Sequence, residues 1–173
     1  LLLGSQIDAA SVTENRRLSL IARFGVGYDN VDVEACTHSG IIVTITPNGV
    51  RRPVAIAALT YLLALSQKML IKDSLVREGR WHERMDHMGT GLSDRTVGLI
   101  GLGNIGRELS GLLQPFGVRL LASDPRSSTY HAQQAGAELV DMGTLLRMSD
   151  FVIVCCELNS RTHHLIDADA LSL

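Results

Sequence analysis

Short apolar runs alternate along the chain with longer stretches whose apolar residues recur at helical spacing. The opening "LLL" is one such run, ended by Gly4, and "LSLIARF" (18–24) is a strand candidate closed by the glycines of "GVGYDN". "VDVEACTHSG" then reads as a short helix stopped at Gly40, because glycine readily takes the left-handed conformation that ends helices. "IIVTI" (41–45) is a β-branched strand. Strand, helix and strand with short connections predict a parallel α/β layer.

The longest helical pattern runs over about Pro53–Glu78, with proline in its first turn, where the missing N–H would be unpaired anyway, and Gly79 as its stop. Such a helix would be roughly 39 Å long. After a polar segment, 80–95, the rhythm becomes regular: strand candidates at 96–101, 118–123, 137–140 and 151–156 alternate with helix candidates at 104–114, 129–135, 142–148 and 167–172. Strands alternating with helices of this length predict βαβ crossovers and a doubly wound parallel sheet, an α/β fold. The domain boundary is expected near residues 46–53. No internal repeat or low-complexity tract interrupts the pattern.

Composition narrows the function classes. Among 173 residues, 46% are hydrophobic and 20% charged, as in ordinary globular proteins. A net charge of -2 and 4% aromatic residues leave no basic or base-stacking surface for nucleic acid. The uncharged stretch Val54–Gln67 is shorter than the roughly 20 residues that cross a bilayer. It reads as a buried helix, and no membrane partner is expected. The three cysteines, Cys36, Cys155 and Cys156, form no C-x-x-C pair and suit a reducing cytoplasm. Cys155 and Cys156 can be a redox pair or inert small apolar residues in a strand. No histidine or cysteine cluster has metal-ligand spacing, so no metal is expected. The start "LLLGSQ", without methionine, reads as the middle of a longer protein.

The chemistry concentrates in "TVGLIGLGNIGRELSGLL" (96–113), where Gly101, Gly103 and Gly106 are spaced G-x-G-x-x-G between a strand and a helix. In that context Gly101 permits the tight turn, Gly103 lets a pyrophosphate approach the backbone, and Gly106 lets helix and strand pack closely. The first N–H groups of the helix then face an anion. An acid at the end of the next strand completes a dinucleotide site. "VRLLASDP" supplies Asp124, 23 residues after Gly101, and a carboxylate there can accept both hydroxyls of an adenosine ribose. Taken alone, Asp124 equally starts a turn before Pro125.

At this point the chain resembles the D-isomer-specific 2-hydroxyacid dehydrogenases, the family that includes phosphoglycerate dehydrogenase and hydroxypyruvate reductase. The resemblance is carried by "RFGVGYDNVD" (23–32), "VTITPNGVRRPVA" (43–55), "REGRW" (77–81), "TVGLIGLGNIGRE" (96–108), "SDFVIV" (149–154) and "THHLIDADALSL" (162–173). It implies a Rossmann-like coenzyme domain over 48–173, incomplete at its C-terminal end, and the end of a flavodoxin-like substrate domain over 1–47. It further implies NAD as cofactor, hydride transfer between nicotinamide and a D-2-hydroxy acid, and a homodimer through the 53–78 helix and the arm around Trp81. A non-catalytic dinucleotide-sensing module of the same fold, like the related corepressors, is the alternative.

Residue by residue, the resemblance assigns Val26 and Gly27 to the turn whose amides hold the substrate carboxylate. From the residues alone, a tight strand-to-helix turn accounts for "GVG". Asn104 and Ile105 match the phosphate-contacting pair, Asp124 the ribose ligand, and Cys156 and Thr162 positions lining the nicotinamide side and the adenine pocket. Arg51 and Arg52 either face an anionic substrate or sit on a solvated helix start. The chain departs from the family at Ile56, where glutamate is common, and at Glu157, where proline is common. The family's catalytic arginine, acid and histidine match no position here, and His38, His82, His87, His131, His163 and His164 read as solvated or packing residues. No catalytic residue is therefore assigned, and the chain as given is expected to be inactive.

Overall fold

A computed structural model describes residues 4–15 and 17–173; the opening "LLL" run lies outside them. The described residues up to Arg51, with Glu157–Leu165, form one compact unit, and Arg52–Cys156 with Ile166–Leu173 form another. In the first unit α1 (Ala9–Thr13) and α2 (Val33–His38) accompany strands β1 (Leu20–Ala22) and β2 (Ile42–Thr44). Asp8 and Asp32 start the two helices by accepting the backbone N–H of Ser11 and Ala35. β1 and β2 pair in parallel, with Ile21 opposite Val43. Val12, Ile21, Val31, Cys36 and Ile41 form the core of this unit.

The long helical pattern is not one helix over 53–78. α3 spans Pro47–Ser66 and α4 spans Met69–Arg77, with axes bent by 63°. Pro47, not Pro53, starts the helix; Pro53 lies inside it, where it removes the bond to the Gly49 carbonyl. The break has a local cause. The Ser66 carbonyl accepts from Thr90 N–H at 2.6 Å, and Lys68 turns left-handed at φ 50°. Gly89 packs so tightly on this corner that a Cβ there would lie 2.6 Å from Gln67 Cα. Nor is Val54–Gln67 a buried helix: Ala55, Leu62 and Ser66 are buried, but Val54, Ile56, Tyr61 and Leu65 are exposed. The predicted stop at Gly79 is real, with φ 71°. The polar segment after it holds a 3-10 helix, Trp81–His87. No single helix among the described residues is long and apolar enough to cross a membrane.

The second unit carries the sheet. Strands β3 (Thr96–Ile100), β4 (Arg119–Ser123), β5 (Glu138–Leu139) and β6 (Phe151–Val154) are all parallel, in the order β5-β4-β3-β6. They alternate with α5 (Asn104–Leu113), α6 (Thr129–Gln134) and α7 (Met142–Met148), and α8 (Ala168–Leu171) closes the chain. β3 is central and buried on both faces. Val97 and Leu99 share a core with Ala55 and Leu62 of α3 and with Leu109 and Leu113 of α5. Gly98, on the other face, admits α7: a Cβ there would come 2.5 Å from Leu145 Cδ2. Helices thus cover both faces, the doubly wound α/β arrangement. The order reverses at β3, because the chain runs outward through β4 and β5 and then returns through α7 to pair β6 on β3's opposite side. Ligands of such sheets bind in the crevice at that reversal, beyond the carboxyl ends of the strands.

Candidate dinucleotide site

The glycine turn stands at this reversal. Gly101 leaves β3 with φ 97° and donates its N–H to the Ser123 carbonyl at 2.9 Å. A Cβ on Gly101 would lie 2.7 Å from the Cys156 backbone nitrogen, so the ends of β3 and β6 touch through this glycine. Gly106 is equally constrained: a Cβ there would lie 2.4 Å from the Gly101 carbonyl oxygen. Gly103 differs from both, since nothing lies within 4 Å of its Cβ position. Two of the three glycines are thus required by packing, and the middle one faces open space.

Gly103 is the residue before α5 and its carbonyl accepts from Arg107 N–H at 3.0 Å, but no side chain caps the helix start. The first N–H groups of a helix have no partner within it, so those of α5 form a positive end beside Gly103. Gly103 and Asn104 are exposed, Ile105 is half-buried and Gly106 is buried. The Asn104 side-chain carbonyl accepts from Arg107 Nη2 at 2.9 Å.

Asp124 directly follows β4, half-buried, and its carboxylate does more than the sequence indicated. Oδ2 accepts the Leu102 backbone N–H and Oδ1 that of Arg126, each at 2.8 Å. The first bond ties the glycine turn to the end of β4, which holds the carboxylate in one orientation. Each oxygen keeps a further lone pair with which to accept a hydroxyl.

Cys155 and Cys156 follow the end of β6, and all three cysteines are thiols. Cys155 packs against the core, and burial, with a smaller contribution from Cys156, pushes its thiol up to about 11. It therefore stays protonated near neutral pH, as an inert apolar side chain does. Thr162 is committed within its own turn, accepting the Asn159 N–H at 2.8 Å and donating to the Glu157 carbonyl at 2.6 Å. Glu157 is exposed, and its side chain accepts from Asn159 Nδ2. None of the six histidines is buried.

The structure brings Gly101, Gly103, Asn104, Ile105, Gly106, Asp124 and Cys156 together in the second unit; Val26, Gly27 and Thr162 belong to the first. Around Val26 and Gly27 two residues stand out that motif reading passed over. Arg23 donates from Nε to the Gly27 carbonyl at 3.0 Å, and from Nη1 to that of Phe24. Thr46 Oγ1 accepts the Gly25 N–H at 2.8 Å. The arginine directly before "FGVG" was the available signal for the first; Thr46 becomes a partner only when β2 lies beside β1.

A dinucleotide fits these residues: an open approach at Gly103, a helix start beside it, and a carboxylate at the neighbouring strand end. Comparison with known proteins agrees. Residues 59–173 match the family described as "D-isomer specific 2-hydroxyacid dehydrogenase, NAD binding domain". The chain is 32% identical over 99% of its length to a glyoxylate reductase of Thermococcus onnurineus, covering 53% of that protein. It is 39% identical over 87% of its length to a D-3-phosphoglycerate dehydrogenase of Archaeoglobus fulgidus, covering 28% of it. Among solved structures, it resembles a D-lactate dehydrogenase from Aquifex aeolicus complexed with NAD and lactic acid, with a TM-score of 0.88 and 25% identity over 97% of this chain and 50% of that one. The chain thus spans about half or less of the length of these relatives. Together the glycine turn, the strand order and the match over 59–173 place this chain in the D-isomer specific 2-hydroxyacid dehydrogenase family, in its NAD-binding domain.

Proposed function

We propose that this chain is the NAD-binding part, with the end of a substrate domain, of an oxidoreductase acting on the CH–OH group of D-2-hydroxy acids. In reverse it reduces 2-oxo acids. The observation that carries the reading is the open Gly103 beside the start of α5, with Asp124 latched to the same turn. Bound NAD supplies the hydride chemistry; the chain's own residues bind and orient. On this reading 48–173 is the coenzyme domain and 1–47 the end of the substrate domain. The amides of Asn104 and Ile105 take the pyrophosphate, and Asp124 takes the adenosine ribose. Cys156 and Thr162 line the nicotinamide side and the adenine pocket. The amides of Val26 and Gly27 take the carboxylate of a small 2-hydroxy or 2-oxo acid. Titration of the purified chain with NADH, followed by nucleotide fluorescence, tests the reading. Saturable binding supports it, and no binding by a folded chain overturns it.

The reading includes a homodimer through α3 and α4. Val54, Ile56, Tyr61 and Leu65 of α3 are exposed, as are Met69, Leu70, Ile71 and Val76 of α4. Val54, Tyr61 and Leu65 lie on one side of α3 by helical spacing, and that exposed apolar stripe is the surface a second copy would cover. Trp81 is half-exposed, with the Arg84 guanidinium over its ring, which leaves it available to a second copy. The expected compartment is the cytoplasm, where the three thiols stay reduced.

A further inference from the structure

The 25–27 turn is held from two sides by side chains whose effect is to aim its backbone. Gly25 has φ 139°, a conformation that favours glycine. Its N–H goes to Thr46 Oγ1 at 2.8 Å, and its carbonyl accepts the Thr46 N–H at 2.9 Å. In a planar trans peptide the C=O and the next N–H point in opposite directions. Pinning the Gly25 carbonyl on Thr46 therefore turns the Val26 N–H away from Thr46.

From the β1 side, Arg23 gathers the carbonyls of Phe24 and Gly27 onto its guanidinium. The guanidinium lies against Gly25 itself: a Cβ there would come within 3.2 Å of Nη1 and 3.3 Å of Cζ. Gly25 is thus required by its φ, and any Cβ there would also press on the arginine guanidinium. Among the described residues no acceptor takes the N–H of Val26 or of Gly27. Carbonyls drawn inward onto a fixed positive charge, with amides left over, make a concavity of the kind that holds anions, and the arginine charge also offsets the Asp29 carboxylate, whose Oδ1 lies 3.4 Å from the Gly27 Cβ position.

We infer that Arg23 is the positioning residue of this turn. It holds the Phe24 and Gly27 carbonyls away from the ligand and places positive charge against the turn, while Thr46 aims the Val26 N–H, so that Val26 and Gly27 accept a small carboxylate. The inference rests on the reading of this turn as a carboxylate site. Arg23 acts through the backbone and needs no contact with the ligand. Its role has two separable parts, a planar fork of donors and a permanent charge.

The test follows backbone amide chemical shifts of the purified chain during titration with glyoxylate, for wild type, Arg23→Lys and Arg23→Gln. The amides of β1 and β2 report whether the unit stays folded. Wild type is expected to show saturable shifts at Val26 and Gly27. Arg23→Gln, without the charge, is expected to bind about tenfold more weakly. Arg23→Lys, which keeps the charge and loses the fork, falls between them. A purely structural role predicts equal losses in the two variants, and that result overturns the charge-backing part. Unchanged affinity in a folded Arg23→Gln overturns the inference altogether. Should a variant lose its β1 and β2 signals, the unchanged chain decides: binding to a charge-backed turn weakens several-fold from low to high salt, and no salt effect overturns the inference. A wild-type chain whose Val26 and Gly27 amides do not respond overturns instead the carboxylate reading of the turn.

Discussion

Replacing Gly103 and Gly106 by alanine, one at a time, separates folding from binding within a single motif. The Gly106 Cβ position lies 2.4 Å from the Gly101 carbonyl oxygen, a backbone atom that cannot rotate away. Alanine there must push α5 off β3, an overpacking that typically costs about 1–3 kcal/mol. At about 2–4 °C per kcal/mol for a chain of this size, the melting temperature should fall by roughly 2–12 °C. Gly103 has φ -74°, which alanine adopts without strain, and open space around its Cβ position. The loss of a glycine cap alone should cost less than about 1 kcal/mol. That same Cβ would stand where a pyrophosphate must reach the amides of α5. A charge-assisted hydrogen bond is worth about 1.5–3 kcal/mol, so Gly103→Ala should weaken NADH binding by at least about tenfold. The assays are thermal unfolding by circular dichroism and NADH fluorescence titration. Gly103→Ala binding NADH as tightly as wild type would refute the phosphate role of the turn. Gly106→Ala with an unchanged melting temperature would refute the packing argument.

The remaining predictions concern the rest of the molecule. NAD(H) should bind better than NADP(H), because a 2′-phosphate would face the Asp124 carboxylate, a repulsion of about 1–4 kcal/mol or roughly ten- to a thousand-fold. Asp124→Ala should narrow that gap, and equal or tighter NADP binding by wild type would remove Asp124 from the ribose site. Sedimentation at micromolar concentration should give a dimer that Leu65→Glu on α3 dissociates, and a monomeric wild type would disprove the interface. Asp150 accepts the Thr96 N–H and then an Arg95 bond, which hold its carboxyl below the ordinary 3.8. A depressed folded value means that this stabilisation is full above the ordinary value and is lost as pH falls beneath it. Urea midpoints should therefore drop more steeply with acid in wild type than in Asp150→Asn, and parallel curves would exclude the effect.

Much of the fold was legible because its signals are local. The alternation of strands and helices from residue 96 onward follows from side-chain period and glycine stops, which act within a few residues. Elements read in this way begin and end within a few residues of those observed, as β3, α5 and α7 do. The long helix was misjudged for the opposite reason. No glycine or proline marks a stop between Ser66 and Met69, only the polar Ser66, Gln67 and Lys68, and nothing nearby in the sequence shows that Thr90 will take the Ser66 carbonyl. The same holds at the 25–27 turn, where Thr46 reaches Gly25 from the next strand.

The sequence by itself determined the parallel α/β class, the glycine turn and the acid at the following strand end, because each depends on residue type at fixed short spacing. The tertiary structure alone decided which glycines are there for packing and which for approach, since that depends on how near β6 and α5 come to β3. It also decided that Asp124 latches the turn by accepting the Leu102 N–H, and that α3 ends at Ser66. Those are pairings between residues more than twenty positions apart. Hydrogen-bond partners at that separation are chosen by where the folded strands and helices lie, and no local pattern encodes them.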